Sequence, residues 1–147
     1  MINKLLNKNV GVDTSLFIYL IEENNKYSEV INEFFSKNSN GYFKINTSVI
    51  TLLEVLVLPY KLGREDLAQE YESILNNSVN IKLVEIDHDI AKLSAKLRAK
   101  YNLRTPDSLQ IASSIYSDSD YFITNDKRLK IVKDIKILLI EDLSLKL

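Results

Sequence analysis

Four carboxylates stand where local structure alone explains them poorly: Asp13, Glu54, Asp107 and Asp126. Asp13 and Asp126 each follow a short apolar run, residues 10–12 and 121–124. In parallel sheets, ligand sites gather just beyond the carboxyl ends of such strands. Asp107 lies in Leu103-Arg104-Thr105-Pro106-Asp107-Ser108-Leu109-Gln110-Ile111-Ala112, which reads as a helix start with Thr105 as cap and Pro106 in the first helical position. Glu54 interrupts residues 49–58, which are otherwise aliphatic apart from Thr51. A helix apolar nearly all round is expected to be buried, and a carboxylate inside it needs a partner or a cation. Each acid alone has a plainer reading: a helix cap for Asp13 or Asp126, a dipole partner for Asp107, a buried ion pair for Glu54. Together they are four hard oxygen donors with no histidine or cysteine among them, a set that suits Mg²⁺ or Mn²⁺ rather than zinc. Acid clusters of that kind hold divalent ions that orient a phosphodiester, activate water and stabilise the leaving oxygen.

The elements that must position these acids follow from the hydrophobic pattern. Strands are predicted at 9–12, 42–45, 81–86, 121–124 and 136–140, with helices between them at 16–23, 28–36, 49–58, 64–75, 88–101 and from Pro106 onward. Thr14 or Ser15 is expected to cap the first helix, and Pro59 to end the third. Residues 1–8 read as a loose lead-in or a short helix. Strands alternating with helices, and no hairpin turn between strands, predict a parallel α/β sheet with helices on both faces. No linker, repeat or low-complexity segment divides residues 1–147, so one domain is expected.

Composition narrows the class. Hydrophobic residues make up 46% and charged residues 27%, as in ordinary globular chains, and the formal net charge of −1 gives no overall basic excess. The absence of cysteine removes disulfides, thiolate zinc sites and cysteine nucleophiles. No apolar run approaches the roughly 18 residues of a membrane span, and the run at 16–21 is flanked by acids without a cleavage signal, so a cytoplasmic location without membrane contact is expected. His88, the single histidine, follows Asp87 at a helix start and reads as a surface or capping residue.

In Val12-Asp13-Thr14-Ser15, Leu53-Glu54-Val55, residues 105–112 and Phe122-Ile123-Thr124-Asn125-Asp126-Lys127, in that order, the chain resembles the PIN-domain ribonucleases, and among them the VapC-type toxins of toxin–antitoxin pairs. The resemblance implies a five-stranded parallel sheet, RNA cleavage dependent on Mg²⁺ or Mn²⁺, homodimers, and inhibition by a cognate antitoxin protein. It assigns Asp13, Glu54, Asp107 and Asp126 to the metal-binding catalytic positions, Thr124 to the supporting hydroxyl, and Asn125 to a ligand or water. Arg104, Lys127 and Arg128 flank these segments and are candidates for RNA phosphates at the rim, as are Lys61 and Arg64. Two rivals fit less well. A phosphotransferase built on Asp13 would want a second aspartate where Ser15 stands, and a nucleotide-binding module would want a glycine-rich turn after the first strand. The alternative from another class is a non-catalytic PIN-like domain that binds RNA or a protein partner. Its mark would be loss of the acids, and all four are present.

Overall fold

A computed structural model of the protein describes residues 1–23 and 26–144. Five strands, β1 (Asn9–Val12), β2 (Lys44–Ser48), β3 (Ile81–Val84), β4 (Tyr121–Thr124) and β5 (Lys136–Leu139), form one parallel sheet in the order β3-β2-β1-β4-β5. Helices α1 (Thr14–Ile21), α2 (Ser28–Ser39), α3 (Val49–Lys61), α4 (Glu65–Asn77), α5 (His88–Tyr101), α6 (Thr105–Tyr116) and α7 (Ile140–Leu143) connect or follow the strands. No helix among the described residues is long and apolar enough to cross a membrane.

The chain builds outward from β1 through β2 to β3, then crosses back to place β4 and β5 on the other side. β1 is therefore the point where the winding reverses, and in sheets of this kind ligand sites gather beyond the carboxyl ends of the two strands that meet there, here β1 and β4. Side-chain alternation serves both faces of the sheet. Val10 and Val12 join one core with Leu16, Phe17, Ile31, Phe34 and Ile123, while Phe122 joins a second with Ile90, Leu97 and Ile111. Gly11 lies beneath α6. A Cβ built there would fall 2.0 Å from Ser114 Oγ and 2.6 Å from Ser114 Cβ, so the missing side chain lets α6 press directly onto β1.

Several boundaries depart from the sequence reading. β2 begins two residues later than expected, because Phe43 packs into the core against the Phe34 ring and ladder pairing with β1 runs from Lys44. Pro59 lies inside α3 rather than ending it. The helix needs only two more residues, and Arg64 N–H returns to the Pro59 carbonyl to close the end. β3 and β5 stop short of 86 and 140, and Ile140 instead opens α7. Residues 2–5 form a short 3-10 helix whose Ile2 and Leu5 are buried in the main core.

The largest correction concerns α3. It is not buried all round: Thr51, Val55 and Pro59 point inward, while Leu53 and Leu58 are 60% and 50% exposed and Glu54 is exposed as well. One stripe suffices to dock the helix, so the apolar residues on its outer side report something other than the core.

Candidate active site

Asp13 caps α1, its Oδ1 accepting the Thr14 N–H at 2.8 Å. The capping reading and the site reading thus hold for the same residue. Its Oδ2 accepts the Thr124 hydroxyl at 2.7 Å, and that hydroxyl oxygen in turn accepts the Asp126 N–H at 3.1 Å. One threonine at the end of β4 therefore ties Asp13 to the loop carrying Asp126. The ladder extends this coupling, since Asp13 N–H donates to the Ile123 carbonyl at 2.9 Å.

Glu54 reaches the same place from α3. Its Oε1 accepts the Thr14 hydroxyl at 2.9 Å, so Thr14 holds both acids, Asp13 through its N–H and Glu54 through its hydroxyl. Asp107 enters from the first turn of α6, where Arg104 rather than Thr105 takes the cap position. The turn before α6 is set by Asn102 in the left-handed region at φ 55° and by Arg98, whose Nε donates to the Leu103 carbonyl.

The charges feel one another. Burial pushes the Asp13 carboxyl up from its ordinary 3.8 to about 6, against the pull of the bonds from Thr124 and the Thr14 N–H, and the negative charges of Asp107 and Glu54 push it further the same way. Asp126 goes the other way, held below the usual carboxylate range chiefly by hydrogen bonds from Arg128. That guanidinium grips both Asp126 oxygens, with Nε at 3.0 and 3.2 Å and Nη2 at 2.7 Å. Arg104 grips Asp107 similarly, with Nε 3.0 Å from Oδ2. As the side chains are placed, no three acids among the described residues stand close enough to hold one ion.

The donor set nonetheless fits a hard divalent cation. It is all oxygen, and an acid whose ionisation is opposed by burial and by two like charges is the kind a cation stabilises. Asp107 and Asp126 reach such an ion only by turning away from exposed arginines, and exposed ion pairs are weak. Ser15 Oγ, two residues after Asp13, is buried with no hydrogen-bond partner among the described residues.

Below the acids lies a buried polar network that the sequence reading missed. Gln110, 2% exposed, donates from Nε2 to Thr51 Oγ1 at 2.7 Å and to Thr14 Oγ1 at 3.1 Å, while its Oε1 accepts from Ser48 Oγ at 2.8 Å. Thr47 spends its proton on the Val12 carbonyl, so Thr51 must donate to Thr47. Gln110 then fills the acceptor sides of Thr51 and Thr14, which leaves the Thr14 proton for Glu54. α6, β2, α1 and α3 are thereby pinned together directly beneath the site. The available signal was Thr47 and Thr51 four apart at a helix start, with a glutamine on the apolar side of α6.

The remaining candidates separate. Asn125 donates to the Tyr19 hydroxyl at 3.0 Å, Lys127 is drawn to Glu141 at 3.7 Å, and Arg64 pairs with Asp66 at 2.8 Å in its own turn. His88 is exposed at the start of α5, where Asp87 provides the cap.

Comparison with known proteins bears on this arrangement. Similar solved structures include VapBC2 from Rickettsia felis bound to a promoter DNA fragment (15% identity, TM-score 0.69, covering 89% of this chain and 98% of that one). They include VapC20 from Mycobacterium tuberculosis, a sarcin–ricin loop cleaving toxin (12%, 0.68, 86% and 98%). A toxin–antitoxin complex from Klebsiella pneumoniae is similar at 22% identity and TM-score 0.61, with 86% of this chain and 94% of that one covered. At these identities the likeness concerns the fold. A search of curated protein sequences found no match. The PIN domain family model matches residues 10–135, which spans β1 to the turn before β5 and includes all four acids, and the chain belongs to the PIN-domain family.

Proposed function

We propose that the protein is an endoribonuclease dependent on Mg²⁺ or Mn²⁺, acting in the cytoplasm as the toxin of a toxin–antitoxin pair. The observation that carries this reading is the shared field at the strand ends: Asp13 is opposed in its ionisation by burial and by Asp107 and Glu54, with Asp126 joined to it through Thr124. A bound divalent ion would relieve that repulsion, activate a water and neutralise charge on a phosphodiester. Thr14 orients Glu54 and Thr124 orients Asp13, so two hydroxyls aim two carboxylates before any ligand arrives. The protein partner has a surface to meet. Leu53, Val57, Leu58, Tyr60 and Leu62 expose an apolar strip along α3 and its end, and such strips are characteristic of contact surfaces. A homodimer and an antitoxin are the occupants this reading expects, in line with the toxin–antitoxin complexes among the similar structures.

The test is RNA cleavage by purified protein in Mg²⁺ or Mn²⁺. Activity should vanish with chelator and fall at least a hundredfold in Asp107→Asn, which keeps the shape and loses the charge. Cleavage that persists undiminished in chelator would refute the reading. Folded, inactive protein that binds RNA would favour the non-catalytic PIN-like alternative.

A further inference from the structure

Arg104 and Arg128 do something more specific than line a basic rim. The Arg128 guanidinium takes both oxygens of Asp126, and Arg104 reaches both of Asp107, with Nη2 3.5 Å from Oδ1 beside the 3.0 Å contact to Oδ2. All four outer oxygens of the site are therefore engaged by this chain's own cations. The two pairs also sense each other: Arg128 feels Asp107, Arg104 feels Asp126, and the two guanidiniums repel. The arginines themselves are 67% and 75% exposed, against 13% and 24% for their acids, so they reach in from solvent over a more sheltered pair. Lys127, next in sequence to Asp126, takes no part and turns to Glu141.

We propose that Arg104 and Arg128 form a two-guanidinium latch, which occupies Asp107 and Asp126 while the site is empty and swings onto substrate phosphates when a divalent ion displaces it. This rests on the metal-nuclease reading above. The chemistry is an exchange of partners. A guanidinium forks equally well onto a carboxylate or a phosphate, so the same side chain serves both states without refolding. Because the pairs are exposed, little energy is lost on release, and a divalent ion with several oxygen donors wins the competition. The latch neutralises Asp107 and Asp126 until an ion arrives, and it makes ion binding and phosphate binding favour one another.

The test uses the full chain and Mn²⁺ alone as first probe, followed by isothermal titration calorimetry. In R104A/R128A, Mn²⁺ should bind at least threefold tighter than in the parent, because two competitors are gone. R104K/R128K should fall between them, since ammonium keeps the charge but cannot fork. At saturating Mn²⁺, the alanine variant should show a KM for a single-stranded RNA raised at least fivefold, with kcat changed less. If the parent binds Mn²⁺ and the alanine variant binds it with unchanged affinity, the latch is refuted while the metal site stands. An unchanged KM refutes the transfer to phosphate. If neither parent nor alanine variant binds Mn²⁺, the metal reading fails and the latch falls with it.

Discussion

Replacing Asp13 by Asn should stabilise the metal-free protein at neutral pH and do almost nothing at pH 4. The folded state holds the Asp13 proton up to about pH 6, against an ordinary value of 3.8. At about 1.4 kcal/mol for each tenfold change in proton affinity, that difference amounts to about 3 kcal/mol. The sign follows from which state binds the proton more tightly. Between 3.8 and 6 the folded state does, so Asp13 contributes its stability in full below the unfolded value and loses it as pH rises through the folded one. Asparagine imitates the protonated acid, with one acceptor for the Thr14 N–H and one donor toward Thr124, and it caps a helix as well as aspartate. Parent and Asp13→Asn should therefore agree within about 1 kcal/mol at pH 4. At pH 8 in chelator the variant should be more stable by about 2–3 kcal/mol, or about 4–10 °C in Tm for a chain of this size. Urea melts from pH 4 to 8 with EDTA present would show it. Added Mg²⁺ should then close the gap by stabilising the parent alone. A difference between the two proteins that stays constant across this range would refute the account of the Asp13 environment.

Three further outcomes follow from the geometry. Glu54→Gln should leave stability within about 0.5 kcal/mol, because the side chain is exposed, yet abolish the Mg²⁺-induced rise in Tm and RNA cleavage. Gln110→Leu should cost about 2–4 kcal/mol in denaturant melts, since Ser48 and two threonine hydroxyls lose partners in the interior. Gly11→Ala should cost about 2–3 kcal/mol by forcing α6 off β1, and Ser114→Gly in the same chain should recover part of it.

What could be read in advance was whatever local chemistry dictates. α5 and β4 have the bounds expected from their periodicity, with Asp87 capping the one. Asp13 and Asp126 could be placed because strand ends are marked by the residues around them. Glu54 was picked out by an argument that fails: the aliphatic run around it does not mean burial, since an apolar pattern arises equally from a face left open to solvent, as Leu53, Val57 and Leu58 are. Gln110 was hidden because its partners, Ser48, Thr51 and Thr14, lie far away in sequence and meet it only when the sheet is wound. The arginine pairs were invisible for a different reason. They depend on side-chain rotamers of exposed residues, which no periodicity encodes.

The reversal of winding at β1 has a consequence in time. β1 is synthesised well before β4, so Val10 must wait for Tyr121 to pair along its second edge. At about 5–20 residues per second, roughly six to twenty seconds of synthesis separate the two strands. Throughout that interval Asp13 lacks the Thr124 hydroxyl that orients it, Asp126 does not yet exist, and the inner edge of β1 stays open. A nascent or prematurely terminated chain that lacks β4 therefore carries an incomplete centre, and Asp13 and Asp126 are tied together only once β4 and the loop after it have been made.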